Sequence, residues 1–236
     1  MSHTARKRFG QNFLHDYTII YNILSSIAVQ PDQHWLEIGP GLGALTEPLL
    51  KEHIRLDVVE LDRDLVAFLK EKFKDSPNLQ IHSGDALRFD FQSLVENNEK
   101  LRVIGNLPYN ISTPLMFHLL ENAAIFEDMH FMLQKEVVDR ICAQPGSKKY
   151  GRLSVMMQYY LVPHQLPPVA VADLKQFNQV VTQAFSQRRK TLRNSLKKLI
   201  SEQEMLDLGI QPTLRAENIS LHEFANLSNL VTNRQE

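Results

Sequence analysis

The chain has 236 residues, 43% of them hydrophobic, and a formal net charge of −1 from 26 basic and 27 acidic side chains. That is ample for a packed core in one large domain, or in a large domain with a smaller partner. The balance of charge gives no reason by itself to expect a nucleic-acid partner.

No apolar run approaches the roughly 20 residues of a membrane span, and the start Met1–Arg8 leads into no signal-type apolar core, so a soluble, cytoplasmic protein is expected. Cys142 is the single cysteine, which excludes an intrachain disulfide and a cysteine-rich zinc site. The nine histidines are scattered without metal-ligand spacing, and no metal is expected. The distribution of charge says more than its sum. Arg6, Lys7 and Arg8 cluster near the start, and Arg188, Arg189, Lys190, Arg193, Lys197 and Lys198 near the end. Each cluster alone reads as a solvated face; together they read as two banks of a phosphate-binding groove.

In chain order, Phe9-Gly10-Gln11-Asn12-Phe13-Leu14 places two aromatics beside two amides, either as an arm packed on the core or as a flap over a ligand. Asp16 then offers an N-cap for a helix through about Ala28. Trp35-Leu36-Glu37-Ile38 reads as a buried strand running into Gly39-Pro40-Gly41-Leu42-Gly43 and a helix from Ala44 to Lys51. Glycines in that position let a ligand approach the backbone and leave helix N–H groups pointing at it. A second strand, Leu56–Glu60, ends in an acid 17 positions past Gly43. There a carboxylate can accept from both ribose hydroxyls, which makes Glu60 a ribose candidate. A nicotinamide dinucleotide would ask for nearly the same residues, so this pair leaves the cofactor open.

Asp62 can cap a helix from Leu65 to Phe73. Leu79-Gln80-Ile81-His82 reads as a third strand, and Asp85 at its end suits either an exocyclic amine such as that of adenine or a loop cap. The fourth strand, Leu101–Ile104, delivers Gly105-Asn106-Leu107-Pro108-Tyr109-Asn110. An amide, a proline without an N–H and an aromatic ring at a strand end suggest a nucleobase held by its polar edge and its π-face. Ser112-Thr113-Pro114 reads as the start of a helix over 115–122. Met129–Leu133 is a fifth strand, followed by a helix over 135–143, a basic loop with Lys148 and Lys149, and a helix over 153–160. After Pro168 strand patterns cease. A helix over 173–185 and two capping boxes, Ser201 with Glu204 and Ser220 with Glu223, mark a small all-helical domain.

These residues resemble a known family, the small-subunit ribosomal RNA adenine N6,N6-dimethyltransferases, and within it the bacterial 16S enzymes. The resemblance covers nearly the whole chain and rests on several blocks in the same order: Arg6 through Leu14, Glu37 through Gly41, Gly105 through Thr113, Met132 through Val137, Tyr150 through Ser154, and Gln187 through Asn194. It implies an α/β fold, with a Rossmann-like class I methyltransferase domain and its N-terminal arm over residues 1–168, then a small all-α RNA-contacting domain over 169–236. It also implies S-adenosyl-L-methionine as methyl donor, bound by Gln11, Asn12, Leu14, Gly39, Gly41, Glu60, Asp85 and Asn106. Glu60 would take the ribose hydroxyls and Asp85 the adenine amine. The catalytic set would be Asn106, Leu107, Pro108 and Tyr109. RNA would be met by Arg6, Lys7, Arg8, Lys148, Lys149, Arg188, Arg189, Lys190 and Arg193.

The reaction so implied moves two methyl groups onto N6 of each of two adjacent adenosines near the 3′ end of 16S ribosomal RNA in the small subunit, by a monomer with a part in subunit maturation. A non-catalytic assembly factor and a DNA adenine methyltransferase are the alternatives; the blocks outside the tetrad argue against the second. One departure stands out. Roughly two dozen residues that the family carries after Tyr160, holding two further strands and a second base-facing aromatic, have no counterpart before Leu161-Val162-Pro163-His164. The expectation is a segment that exists but is unresolved, with the numbering closed over it; a true deletion is the alternative. Without the segment the sheet should hold five strands instead of seven.

Overall fold

The structure is a computed structural model that describes residues 14–97, 99–160, 170–187 and 189–234. The chain falls into two compact units divided between Gln134 and Lys135. This division comes earlier than the composition change at Pro168, so the helices just before that proline group with the later ones.

The first unit is built on five parallel strands, β1 (His34–Ile38), β2 (Arg55–Glu60), β3 (Leu79–Ser83), β4 (Leu101–Asn106) and β5 (Phe126–Met132). Their order is β3-β2-β1-β4-β5, so the direction of winding reverses between β1 and β4. Strands covered on both faces must be apolar on both, which is why these segments read as near-continuous hydrophobic runs. Alternate residues divide between two cores. Leu36, Ile38, Val59, Leu101 and Val103 pack with Phe91, Leu115 and Leu119 on one face. Trp35, Leu56, Val58 and Ile104 pack with Ile20, Ile27, Leu45 and Leu49 on the other.

Four helices serve this sheet: α1 (Tyr17–Ile27), α2 (Thr46–Leu50), α3 (Arg63–Lys72) and α4 (Tyr109–Glu121). Asp16 caps α1 through the N–H groups of Thr18 and Ile19, and Asp62 caps α3 through that of Asp64, as the sequence predicts. Helix α4 departs from expectation. It begins at Tyr109 with Pro108 in the extended cap position, and Pro114 lies inside it. The Ser112-Thr113-Pro114 signal fails because the Ser112 hydroxyl donates back to the Tyr109 carbonyl at 3.1 Å instead of accepting as a cap.

The second unit carries α5 (Lys135–Ile141), α6 (Arg152–Tyr160), α7 (Leu174–Phe185), α8 (Leu192–Ser195), α9 (Glu202–Asp207) and α10 (Leu221–Thr232). Helix α7 buries Phe177, Val180, Val181 and Ala184, one face at helical spacing, and Asp173 caps it. Both capping boxes form, at Ser201 with Glu204 and at Ser220 with Glu223.

The five-stranded sheet matches the expectation for a chain without the extra segment. The expectation of an unresolved segment with the numbering closed over it is corrected: in the 236-residue sequence Leu161 directly follows Tyr160, so the segment is absent from the sequence itself.

One buried cation ties the first unit together. Arg102 on β4 forks onto Asp128 of β5, with Nε and a terminal nitrogen at 2.9 and 2.7 Å from the two carboxylate oxygens. It also donates to the Ile27 carbonyl at the end of α1 at 2.8 Å and to Gln33 Oε1 at 2.9 Å. Its guanidinium lies 4.3 Å from the Trp35 ring centroid. Burial raises the Asp128 carboxyl, but hydrogen bonds and charge from His130 and Arg102 outweigh it and hold the group well below the usual carboxylate range. Arg102→Met should therefore cost about 3 kcal/mol in urea unfolding, because it strands the carboxylate and the helix carbonyl. Arg102→Lys should recover less than half, since an ammonium cannot reproduce the planar fork.

Candidate active site

The first turn after β1 is shaped by glycine. Gly39, Gly41 and Gly43 all have positive φ, at 71°, 59° and 81°. At Gly43 a Cβ would meet the Phe73 ring of the residue following α3 at 2.8 Å, so the turn packs against that helix end and excludes a side chain. At Gly39 a Cβ would find open space, which leaves one side of the turn free for a ligand.

A carboxylate on each side fixes this turn. Glu37, on β1, is fully buried and accepts from the Thr46 hydroxyl at the start of α2 at 2.5 Å, so one hydrogen bond spans the glycine loop. Burial pushes its carboxyl up to about 7 against the Thr46 hydrogen bond, and the nearby Glu60 charge adds to the rise. Glu60, at the end of β2, accepts from the Gly41 N–H at 3.2 Å and from the Asp62 N–H at 2.9 Å. Burial also raises the Glu60 carboxyl, opposed by those backbone donors. The Leu61 N–H also supports it, and because a carboxylate offers about four acceptor positions there is room for a further donor.

The ends of the neighbouring strands line up with this pair. Gly39 N–H bonds the Val59 carbonyl and Gly84 N–H the Glu60 carbonyl, each at 3.0 Å, which joins the exits of β1, β2 and β3. Asp85 follows β3 and accepts from the Leu87 N–H at 3.0 Å, so one of its oxygens serves as a loop cap. On the other side of β1, Gly105 pairs with Ile38. A Cβ there would fall 2.7 Å from the Ile38 carbonyl oxygen and 3.2 Å from Leu107, so only glycine lets β4 reach the switch point at this depth.

Asn106 is half-buried at the last position of β4. The Leu107 N–H extends the β5 ladder to the Met132 carbonyl at 3.1 Å. The Pro108 carbonyl accepts from Ile111 and Ser112 at 3.2 and 3.1 Å and so closes the first turn of α4. Tyr109 opens α4 with its side chain 57% exposed.

Glu60, Gly39, Gly41, Asp85 and Asn106 thus share one rim of the sheet, while Leu14 is half-buried against the core beside α1. Gln11, Asn12, Arg6, Lys7, Arg8 and Arg188 lie outside the described residues. In the second unit Lys148, Lys149, Arg189, Lys190 and Arg193 are all exposed. Lys149 pairs with Asp139 at 2.8 Å. Gly146 N–H bonds the Glu217 carbonyl at 2.7 Å, and Thr191 bridges Arg215, so the loop and the later basic stretch are linked through residues 215–217. Among the described residues no group of three histidine, cysteine, aspartate or glutamate side chains could hold a metal ion. None of the helices there is long and apolar enough to cross a membrane.

The sequence pattern did not reveal Glu37 as more than part of a strand. Its only local signal is Thr46, nine residues on, which gains meaning once the glycine turn brings α2 back over β1.

Comparison with known proteins decides the family. The sequence profile of the ribosomal RNA adenine dimethylase family matches residues 2–166 and 160–233. The chain belongs to the ribosomal RNA adenine dimethylase family. It is 52% identical over 253 residues to a ribosomal RNA small subunit methyltransferase A of Pseudomonas aeruginosa, covering 96% of this chain and 94% of the relative. It is 49% identical over 261 residues to the protein of that name in Shewanella woodyi, covering 100% and 98%. An alignment of 261 positions on a chain of 236 leaves at least 25 positions without a counterpart here. The two profile matches of the dimethylase family meet at 160–166, where the sequence places the deletion.

Among solved structures, a dimethyladenosine transferase from Plasmodium falciparum has a TM-score of 0.73 at 21% identity, covering 95% of this chain and 98% of that one. A 23S ribosomal RNA methyltransferase has 0.61 at 21%, covering 94% and 100%. Both share the fold.

S-adenosylmethionine is the cofactor of this class of dimethylase, and the residues present fit it. The open flank of Gly39 admits a ligand against the backbone, and Glu60 retains acceptor capacity.

The raised Glu37 carboxyl has a signed consequence. In the folded state it holds a proton that the unfolded chain releases near 4.5, so its contribution to stability is present in full below about 4.5 and is lost as pH rises through about 7. Glu37→Gln keeps an acceptor for Thr46 and should flatten the decline. Urea midpoints measured across that window should converge for the two proteins at its acid end and favour the variant at its neutral end.

Proposed function

We propose that this S-adenosylmethionine-dependent ribosomal RNA adenine dimethylase acts on the small ribosomal subunit, placing two methyl groups on N6 of each of two adjacent adenosines near the 3′ end of its RNA. The observation that carries the proposal is the Asn106-Leu107-Pro108-Tyr109 turn at the switch point, one strand from the Glu60 rim.

N6 of adenine is a poor nucleophile because its lone pair is delocalised into the purine ring. Asn106 Oδ1 and a main-chain carbonyl can accept hydrogen bonds from the amino group and favour a tetrahedral nitrogen with a localised lone pair. Leu107 and Pro108 both offer a carbonyl on sequence grounds. The Pro108 carbonyl already receives two N–H groups of α4, so the Leu107 carbonyl is the acceptor we assign. Proline next to it brings no competing donor.

Tyr109 presents its exposed ring as the surface on which the extruded base stacks, a contact worth about 1–3 kcal/mol against unstacking costs of a few kcal/mol. The cofactor supplies a methyl group on a sulfonium centre. Positioning of N6 is then the chain's main contribution, and each transfer releases one N6 proton to solvent without a side-chain base. Glu60 would take the ribose hydroxyls of the cofactor and Asp85 its adenine amine, with Gln11, Asn12 and Leu14 beside them. The exposed basic residues of the helical region would meet RNA phosphate.

The test is mass spectrometry of small-subunit RNA after incubation with labelled cofactor. Dimethyladenosine at two adjacent positions near the 3′ end is expected, and a product elsewhere would overturn the site assignment. Asn106→Ala should slow methylation about 100-fold or more while subunit binding persists. Tyr109→Phe should stay active and Tyr109→Ala should not.

A further inference from the structure

Helix α1 exposes two aromatic rings that the folded core does not use. Tyr17 is 86% exposed and Tyr21 is 70% exposed. They are four residues apart, hence neighbours on one helical face one turn from each other. The sequence of α1, Tyr-Thr-Ile-Ile-Tyr-Asn-Ile-Leu-Ser-Ser-Ile, contains no charged residue. Around the two rings the exposed positions are His15, Asp16, Thr18, Ile19, Asn22 and Ser25.

Tyrosine usually buries most of its ring, and two nearly free rings side by side carry an unspent apolar surface. Where the surface lies follows from the helix direction. The Ile27 carbonyl at the end of α1 meets Arg102 near the start of β4. Only the short connection 28–33 separates that end of α1 from the start of β1, so the helix returns along the sheet against the strand direction. Helix α1 therefore runs antiparallel to the strands. Its 11 residues rise about 16 Å, close to the length of a six-residue strand, which directs the end of α1 that carries Tyr17 and Tyr21 toward the end of the sheet where Asn106 stands.

We propose that Tyr17 and Tyr21 form a stacking platform for unpaired ribosomal RNA bases flanking the target adenine. The proposal deepens the functional reading above and rests on it. An extruded adenine leaves neighbours that have lost a stacking partner, and a pair of rings one helical turn apart offers them a replacement. No residue within α1 is charged, and the exposed Asp16 carboxylate next to Tyr17 is turned onto the Thr18 and Ile19 N–H groups as the helix cap. Base–aromatic stacking tolerates any base, so this surface would hold RNA in place without reading its sequence.

The experiment compares the full chain with the Tyr17→Ala/Tyr21→Ala and Tyr17→Phe/Tyr21→Phe double variants. Anisotropy of a short fluorescein-labelled RNA with two adjacent unpaired adenosines gives affinity across a salt series, and methylation of small subunits gives KM and kcat. The alanine pair should weaken binding about tenfold for each ring and raise KM, with kcat at saturation and the salt slope unchanged. The phenylalanine pair should bind like the natural chain. If the natural chain binds the RNA and the alanine pair binds it equally well, the platform is refuted and the rings are left to a protein partner. If phenylalanine fails as badly as alanine, stacking is refuted in favour of hydroxyl contacts. A natural chain that neither binds nor methylates RNA would instead refute the functional reading itself.

Discussion

The architecture of the site depends on one close approach, that of β4 to the Ile38 carbonyl at Gly105. With no room for a Cβ at 2.7 Å, the two central strands stay in register up to their last residues. The glycine turn after β1 and the Asn106 turn after β4 then leave the sheet side by side. Everything chemical follows from that adjacency. A doubly wound sheet opens a crevice where its winding reverses, and here the crevice is bordered by a loop of positive-φ glycines and by a turn rich in acceptors. A one-methyl side chain at residue 105 would push the strands apart at the mouth of that crevice.

Electrostatics completes the crevice. Two carboxyl groups brace the glycine turn, Glu37 through Thr46 and Glu60 through the Gly41 N–H, and burial raises both. Isolated buried anions would be costly, and the fold answers differently in each case. Glu60 is supported by main-chain donors that any ligand must share, while Glu37 is held by a single hydroxyl across the loop and sits near neutrality. The opposite end of the sheet shows a third solution. Asp57 is buried between His34 and His82, at 2.6 and 2.5 Å; burial raises its carboxyl, but the two histidine hydrogen bonds prevail and hold it at about 2. Charge at the working rim stays adjustable, whereas charge at the far rim is locked.

Much of this was legible in the sequence because the signals were local. Asp16, Asp62, Ser201 and Ser220 cap helices where the pattern placed them, since each cap needs only the next two or three residues. The five strands were visible as apolar runs, and the glycine turn with Glu60 came in order. What escaped depends on distant partners. Arg102 sits in an apolar run and looks like a solvent-facing interruption, yet its anchors are Asp128, Ile27 and Trp35 from three other segments. The start of α4 is misplaced because Ser112 and Pro114 imitate a helix start, while the Ser112 hydroxyl in fact donates back to the Tyr109 carbonyl and β4 pairing ends only at the Leu107 N–H.

Pro114 gives that misplaced start a further meaning. Lacking an N–H, it leaves the Asn110 carbonyl without the rung that would join the first turn of α4 to the second. The turn that carries Tyr109 is thereby coupled to the helix by one bond fewer than its neighbours. A dimethylase must receive the same nitrogen twice, first bare and then carrying a methyl group, without releasing its grip on the ring. A rigid wall would fit only one of those two shapes. On the role proposed for Tyr109, a ring on a first turn laced by one bond fewer would yield by a fraction of an ångström, and the missing hydrogen bond would be the tolerance by which both substrates fit in succession.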